Sequence, residues 1–141
     1  MAMKDQVKII MPLYFMVERK TKDDKKCVIN LNQYRNWHYQ LSNLLKKKYC
    51  EYAWHQLKDH TFNFEISLKF VLYKEKNYKQ DRSNALSIHE KFFCDAMVYA
   101  GCIGDDNDKF IESSHYYTGG VDRNNPRVEI IITPAKPSEF Q

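Results

Sequence analysis

The stretch "TFNFEISLKFVLY", residues 61–73, alternates apolar and polar side chains without a break until its last residues. Phe62, Phe64, Ile66, Leu68, Phe70 and Leu72 fall on one side, and Asn63, Glu65, Ser67 and Lys69 on the other. A period of two belongs to a strand, because successive side chains leave a pleated backbone on opposite faces. A strand with one apolar face must bury that face against another layer. Two segments with helical spacing supply the layer. Tyr34, Trp37, Leu41, Leu44, Leu45, Tyr49 and Tyr52 form an apolar stripe with helical spacing, which predicts a helix from Asn30 or Asn32 to about residue 58. Ser83 can cap a second helix over 84–100, closed by Gly101.

The remaining segments read as strands and links. "VKIIMPLYFMVE", 7–18, is a strand in which Pro12 marks an edge or a bulge. "RKTKDDKK", 19–26, is a charged loop. Residues 109–117 and 127–133 are two more strands, turned by "TGGVDRNNP". The expected order is β-α-β-α-β-β. That order describes a small α+β (α/β) domain over 1–141, a mixed sheet flanked by two helices, with a loose tail from about 135.

Charge and cysteine usage bound the function. Lys plus Arg number 22 against 18 for Asp plus Glu, an excess that permits a polyanionic partner without demanding one. Cys27, Cys50, Cys94 and Cys102 form no C-x-x-C and show no zinc spacing, which points to reduced thiols in a cytosolic protein. No apolar run reaches a membrane span, and "MAMKDQVK" has no apolar signal core, so a cytoplasmic location is expected. His38, His55, His60, His89 and His115 show no paired metal spacing, and His89 projects to the apolar side of its helix. There is no Walker loop, no nucleophile elbow and no Asp with a following Glu-x-Lys.

The acids are placed less evenly. Asp81 precedes the second helix, Glu90 and Asp95 lie on it, and Asp105, Asp106 and Asp108 follow it. On a helical wheel Asn84, Ser87, Glu90, Lys91 and Asp95 form the polar side. A plain reading is a solvated face with a Lys91–Asp95 surface pair. Crowded carboxylates repel unless a cation sits between them, and Mg²⁺ is held by a few carboxylates from separate segments.

"DRSN", "EKFFCDAMVYAGCIGDDNDKFI" and "GGVDRNNPRVEI" together resemble the core motif of the RusA family of Holliday-junction resolvases, in its phage and prophage branch. The resemblance covers about residues 79–132. It implies a homodimer that cuts branched DNA at four-way junctions with Mg²⁺, or Mn²⁺ in its place, through water activated by one or two metal ions. Asp81 matches the first metal-binding aspartate, Asn84 the motif asparagine, Lys91 the essential lysine, and Asp105 with Asp106 the acidic pair. Two departures stand out. Ser83 occupies the place of the second aspartate, and Lys91 comes about one helical turn later than in the founding pattern. Glu90 leans toward the helix N-terminus and is the expected replacement carboxylate. Without it, a junction-binding protein that does not cut is the alternative. Lys74, Lys76, Lys79 and Arg82 lead into Asp81 and, with Asn84, Arg123 and Arg127, are the expected DNA contacts.

Overall fold

Parallel strands need a crossover, and in this chain a helix supplies it. The computed structural model describes residues 6–77, 79, 81–104 and 110–135. The elements run β1 (Val7–Met11), β2 (Tyr14–Val17), β3 (Lys25–Val28), α1 (Leu31–Tyr34), α2 (Tyr39–Leu57), β4 (Ile66–Lys74), α3 (Arg82–Tyr99), β5 (Ile111–Val121) and β6 (Arg127–Pro134). The main sheet has the order β1-β6-β4-β5. β4 pairs parallel with β5 across α3 and antiparallel with β6, while β1 pairs antiparallel with β6. The chain is a small α+β domain with a mixed sheet. Among the described residues no helix is long and apolar enough to cross a membrane.

Ile66, Leu68, Phe70 and Leu72 of β4 are all buried, as the alternation predicts. Val128, Ile130 and Ile132 of β6 and Ile9 and Met11 of β1 stand beside them in register. α3 packs Ala85, Leu86, Phe92, Phe93, Ala96 and Met97 into this core. Phe93 meets Phe70 edge-on at 6.1 Å. α2 adds Leu45, Tyr49, Cys50, Ala53 and Leu57. One polar link sits inside this packing. The Tyr49 hydroxyl lies 2.9 Å from Nδ1 of His89, and both side chains are buried. Burial drives the His89 pKa down to about 3, so the ring stays neutral.

Several expectations are corrected. The strand expected over 7–18 is two strands, because proline has no N–H to continue a ladder and Pro12 ends β1. β2 turns away and pairs with β3 in a separate ribbon, so the end of the expected charged loop, Lys25–Lys26, is strand. The helix expected from 30 to 58 is broken between Tyr34 and Tyr39. Asn30 caps α1 and His38 caps α2. The break turns α1 onto α3, where Tyr34 meets Phe92 at 6.2 Å. The expected strand over 61–73 begins only at Ile66. Before it the Phe62 N–H bonds to the Cys102 carbonyl at 2.8 Å, outside the sheet, and Phe64 is 40% exposed. The strand expected over 109–117 is Ile111–Val121, so part of the expected turn is strand, and residue 109 lies outside the described residues. All four cysteines are free and buried.

The two edges of the sheet differ. At the β1 edge the Gln56 side-chain amide of α2 accepts from the Ile10 N–H at 2.9 Å and donates to the Ile10 carbonyl at 2.8 Å. At the β5 edge a bulge lets Leu72 pair with Thr118 and Tyr73 with Gly120, so Gly119 is an extra residue. A Cβ at Gly119 would stand 2.6 Å from the Tyr73 ring. That ring also carries the Arg127 guanidinium, 4.0 Å from its centroid.

Two measurements test this packing. Gly119→Ala forces the Tyr73 ring off the strand and lowers unfolding free energy by about 1–3 kcal/mol in urea denaturation. His89 is neutral when folded and titrates near its ordinary value when unfolded, so the unfolded chain binds the extra proton. Its contribution to stability is intact above about pH 6.5 and is lost as pH falls toward 3. Wild type should therefore lose about 2 kcal/mol from this group between pH 7 and pH 5, and His89→Gln should show a correspondingly flatter profile.

Candidate functional site

α3 carries the expected site, and its cap decides where the site begins. Ser83 is not the cap. Oδ1 of Asp81 accepts the Ser83 N–H at 2.9 Å, and the helix starts one residue later, at Arg82. A carboxylate there also faces the positive end of the helix dipole. Asp81, Arg82 and Ser83 are exposed.

Cations gather at the same end of the sheet. β4 ends at Lys74, and Lys76 and Lys79 are exposed in the link to α3. The Lys74 carbonyl accepts the Asp122 N–H at 2.8 Å, which places the turn carrying exposed Arg123 beside it.

Arg127 is placed differently from the expected phosphate contact. It donates to Glu129 at 2.8 Å and to Asp122 at 2.8 Å, and also to the Asn125 carbonyl at 2.9 Å. Buried Glu129 pairs in addition with Lys8 at 3.4 Å. Glu129 raises the Arg127 pKa, and Arg127 lowers that of Asp122. Two carboxylates compensate this guanidinium, so it ties β6 to the turn before it. Asn84 is also engaged: its Oδ1 accepts the Asn32 N–H at 3.0 Å and joins α1 to α3. Asp95 pairs with Lys46 of α2 at 3.1 Å rather than with Lys91. Lys91 is exposed.

Glu90 does not come to Asp81. The two are nine residues apart, which on a helix is about 180° of rotation and about 13–14 Å of rise. They therefore occupy opposite sides of α3. Measured against Asn84 and Lys91, Glu90 belongs to the polar side of the wheel; measured against the cap itself, it lies opposite. The structure directs Glu90 to β5, where it accepts a hydrogen bond from the Tyr116 hydroxyl. Burial first, and the Glu90 bond second, push the Tyr116 pKa well up. Tyr116 also packs edge-on against Phe70 at 5.9 Å, which fixes the face it occupies.

Asp105 and Asp106 lie outside the described residues. Among the described residues, no three His, Cys, Asp or Glu side chains are grouped to hold a metal. The described acids thus do not by themselves make the metal site the resemblance implies. Asp81 and Gly101 stand at opposite ends of a helix, about 30 Å apart. At the Gly101 end lies an open cleft of about 820 Å³ lined by Phe62, Phe64, Glu65, Cys102 and Phe110 among others. Strict alternation hid it by assigning Phe64 to the core. The chain matches no protein-family model and no curated protein.

The Glu90–Tyr116 bond has a thermodynamic signature. A double-mutant cycle with Glu90→Ala and Tyr116→Phe should return a coupling of about 1–2 kcal/mol, since each single change strands the other partner half-buried. Additive effects in urea unfolding would show that the bond contributes nothing.

Proposed function

We propose that this chain is a RusA-like, structure-selective endodeoxyribonuclease that acts on four-way DNA junctions. Mg²⁺, or Mn²⁺, is the expected cofactor, and a homodimer the expected assembly. The expected setting is the cytoplasm of a bacterial cell, with the chain encoded by a phage or prophage. The observation that carries this reading is the exposed tip of α3. There the exposed Asp81 cap and Arg82 follow the exposed Lys76 and Lys79 along the chain. Phosphates are drawn to such cations, and the affinity they supply is independent of sequence. The order of the motif along α3 adds support, since Asp81, Asn84, Lys91, Asp105 and Asp106 follow one another as in the family. Lys91 remains exposed and able to meet a phosphate.

One observation favours the second reading, a protein that grips junctions without cutting them. Ser83 replaces an acid, and Glu90 faces away from Asp81 and binds Tyr116. Glu90 is therefore better read as part of the packing of α3 on β5 than as a metal ligand. The acids left for metal are Asp81, Asp105 and Asp106.

Asp81→Asn separates the two possible roles of this residue. Asparagine caps a helix about as well as aspartate, so stability should change by less than about 0.5 kcal/mol. Cleavage of a synthetic four-way junction with Mg²⁺ should be abolished, while gel-shift affinity for the junction holds. A variant that cuts at the wild-type rate shows Asp81 to be a cap alone. Replacing Lys76, Lys79 and Arg82 by alanine should weaken junction binding and flatten its salt dependence by roughly one unit of slope for each phosphate no longer neutralised. Wild-type chain that binds junctions but leaves them whole at every Mg²⁺ or Mn²⁺ concentration supports the non-cutting reading.

A further inference from the structure

We infer that the cleft at the Gly101 end of α3 takes one unstacked base from branched DNA, with the Phe64 ring as its stacking surface. The inference rests on the junction reading, and it names the site that would tell a branch point from an unbroken duplex. The cleft is built before any ligand arrives. The Phe62 N–H bonds to the Cys102 carbonyl at 2.8 Å, the Ile66 N–H to the Phe110 carbonyl at 2.8 Å, and the Ala135 N–H to the Glu65 carbonyl at 2.9 Å. The segment between Phe62 and Ile66 is thus tied down at both ends while it runs outside the sheet. Buried Cys102 and Ile103 belong to the lining. Phe110 lies close to Gly104, where a Cβ would stand 3.3 Å from Cζ of the ring. Phe64 remains 40% exposed, with its ring 6.2 Å from that of buried Phe62.

The lining selects the occupant. Glu65 is its one charged residue, so the cleft repels a phosphate and admits an uncharged ring. A volume of about 820 Å³ is in the range of small-molecule sites and ample for a base. Every base has a π-face, so stacking on an aromatic side chain tolerates any sequence. Ring stacking already occurs beside the cleft, where His60 lies parallel to Phe62 within 3° at 6.2 Å. Drawing a base out of a continuous duplex is costly, and it is least so where pairing is already broken. Strands change partners at the exchange point of a junction, so a base there is within reach of Phe64 while one inside an arm is not. Gly104 lines the cleft and directly precedes Asp105 and Asp106. The cleft therefore adjoins, along the chain, acids that the nuclease reading assigns to metal. Its separation from the Asp81 tip, about 30 Å along α3, equals about nine steps of a duplex. The cations of the tip can hold an arm while the cleft meets the exchange point.

The test reads binding and needs no cleavage. In buffer without divalent metal, a four-way junction carrying 2-aminopurine at its exchange point should brighten with wild-type protein, because that base fluoresces when it is unstacked. Phe64→Ala should lose the rise and lower the preference for junction over duplex by about fivefold or more, with duplex affinity unchanged. Phe64→Leu keeps apolar bulk without a ring; it should behave as Phe64→Ala does, and it decides if the alanine variant fails to fold. Phe64→Trp should restore both signals. Replacing Lys76, Lys79 and Arg82 instead should weaken junction and duplex binding alike and leave the preference as it was. A wild type that gives no rise, or alanine and leucine variants that keep both the rise and the preference, overturns the inference and leaves the nuclease reading to its cleavage assay. A chain that brightens the base through Phe64 yet cuts no junction with Mg²⁺ or Mn²⁺ leaves the inference standing and removes the nuclease reading. A chain that binds no DNA removes both.

Discussion

Parallel pairing of β4 with β5 is the constraint on which the rest of the molecule depends. Two parallel strands cannot be joined by a tight turn, so the chain must travel back along the sheet before the second begins. α3 makes that return and lies over the strands it connects. Its cap at Asp81 then emerges where β4 ends, and Gly101 where β4 begins. The helix is held on two sides. Tyr49 reaches His89 from α2, and Tyr116 reaches Glu90 from β5. A helix so clamped has little freedom to rotate, and which residues remain outside follows from the clamps.

That selection sorts the polar side chains of α3. Asn84 holds α1, Glu90 holds β5, and Asp95 holds α2 through Lys46. Each reads from sequence as solvent-facing or ligand-facing, and each is a joint of the fold. Arg127 belongs with them, enclosed by Asp122 and Glu129 and laid over Tyr73. Asp81, Arg82 and Lys91 are left outside, with Lys76, Lys79 and Arg123 nearby in the links. Lys8, Lys46 and Arg127 are paired with carboxylates, so the footprint for DNA is smaller than a count of cations suggests.

The legible parts of the fold are those whose periodicity serves a single partner. The alternation over 66–72 has one core to face, and the apolar side of α3 likewise. Where one stripe serves two partners, periodicity misleads. Tyr34 and Trp37 keep helical spacing with Leu41, yet the chain breaks between them to lay α1 on α3. The β2–β3 ribbon is hidden in the sequence because each of its strands turns only one side chain fully inward, Val17 from β2 and Cys27 from β3. The cap of α3 is ambiguous because Asp81 and Ser83 are both good caps two residues apart, and only backbone geometry chooses. The candidate site is legible as an order of residues along the chain. Its three-dimensional grouping is not, because Glu90 and Asp81 differ by half a rotation of the helix.

β6 is the last described strand in the chain and an interior strand of the sheet, lying between β1 and β4. Until it arrives, the first strand has no partner in the main sheet, and β4 is bonded on one side only. A ribosome releasing this chain from its first residue onward therefore delivers the helices and three strands of the main sheet before the piece that joins them. Closure requires pairing between residues as far apart in the chain as Val7 and Ile132. Such non-local pairing slows folding and leaves unpaired edges open meanwhile. Assembly of the sheet is thus a late and concerted event, and a nascent chain of this topology stays dependent on whatever shields β1 and β4 during synthesis.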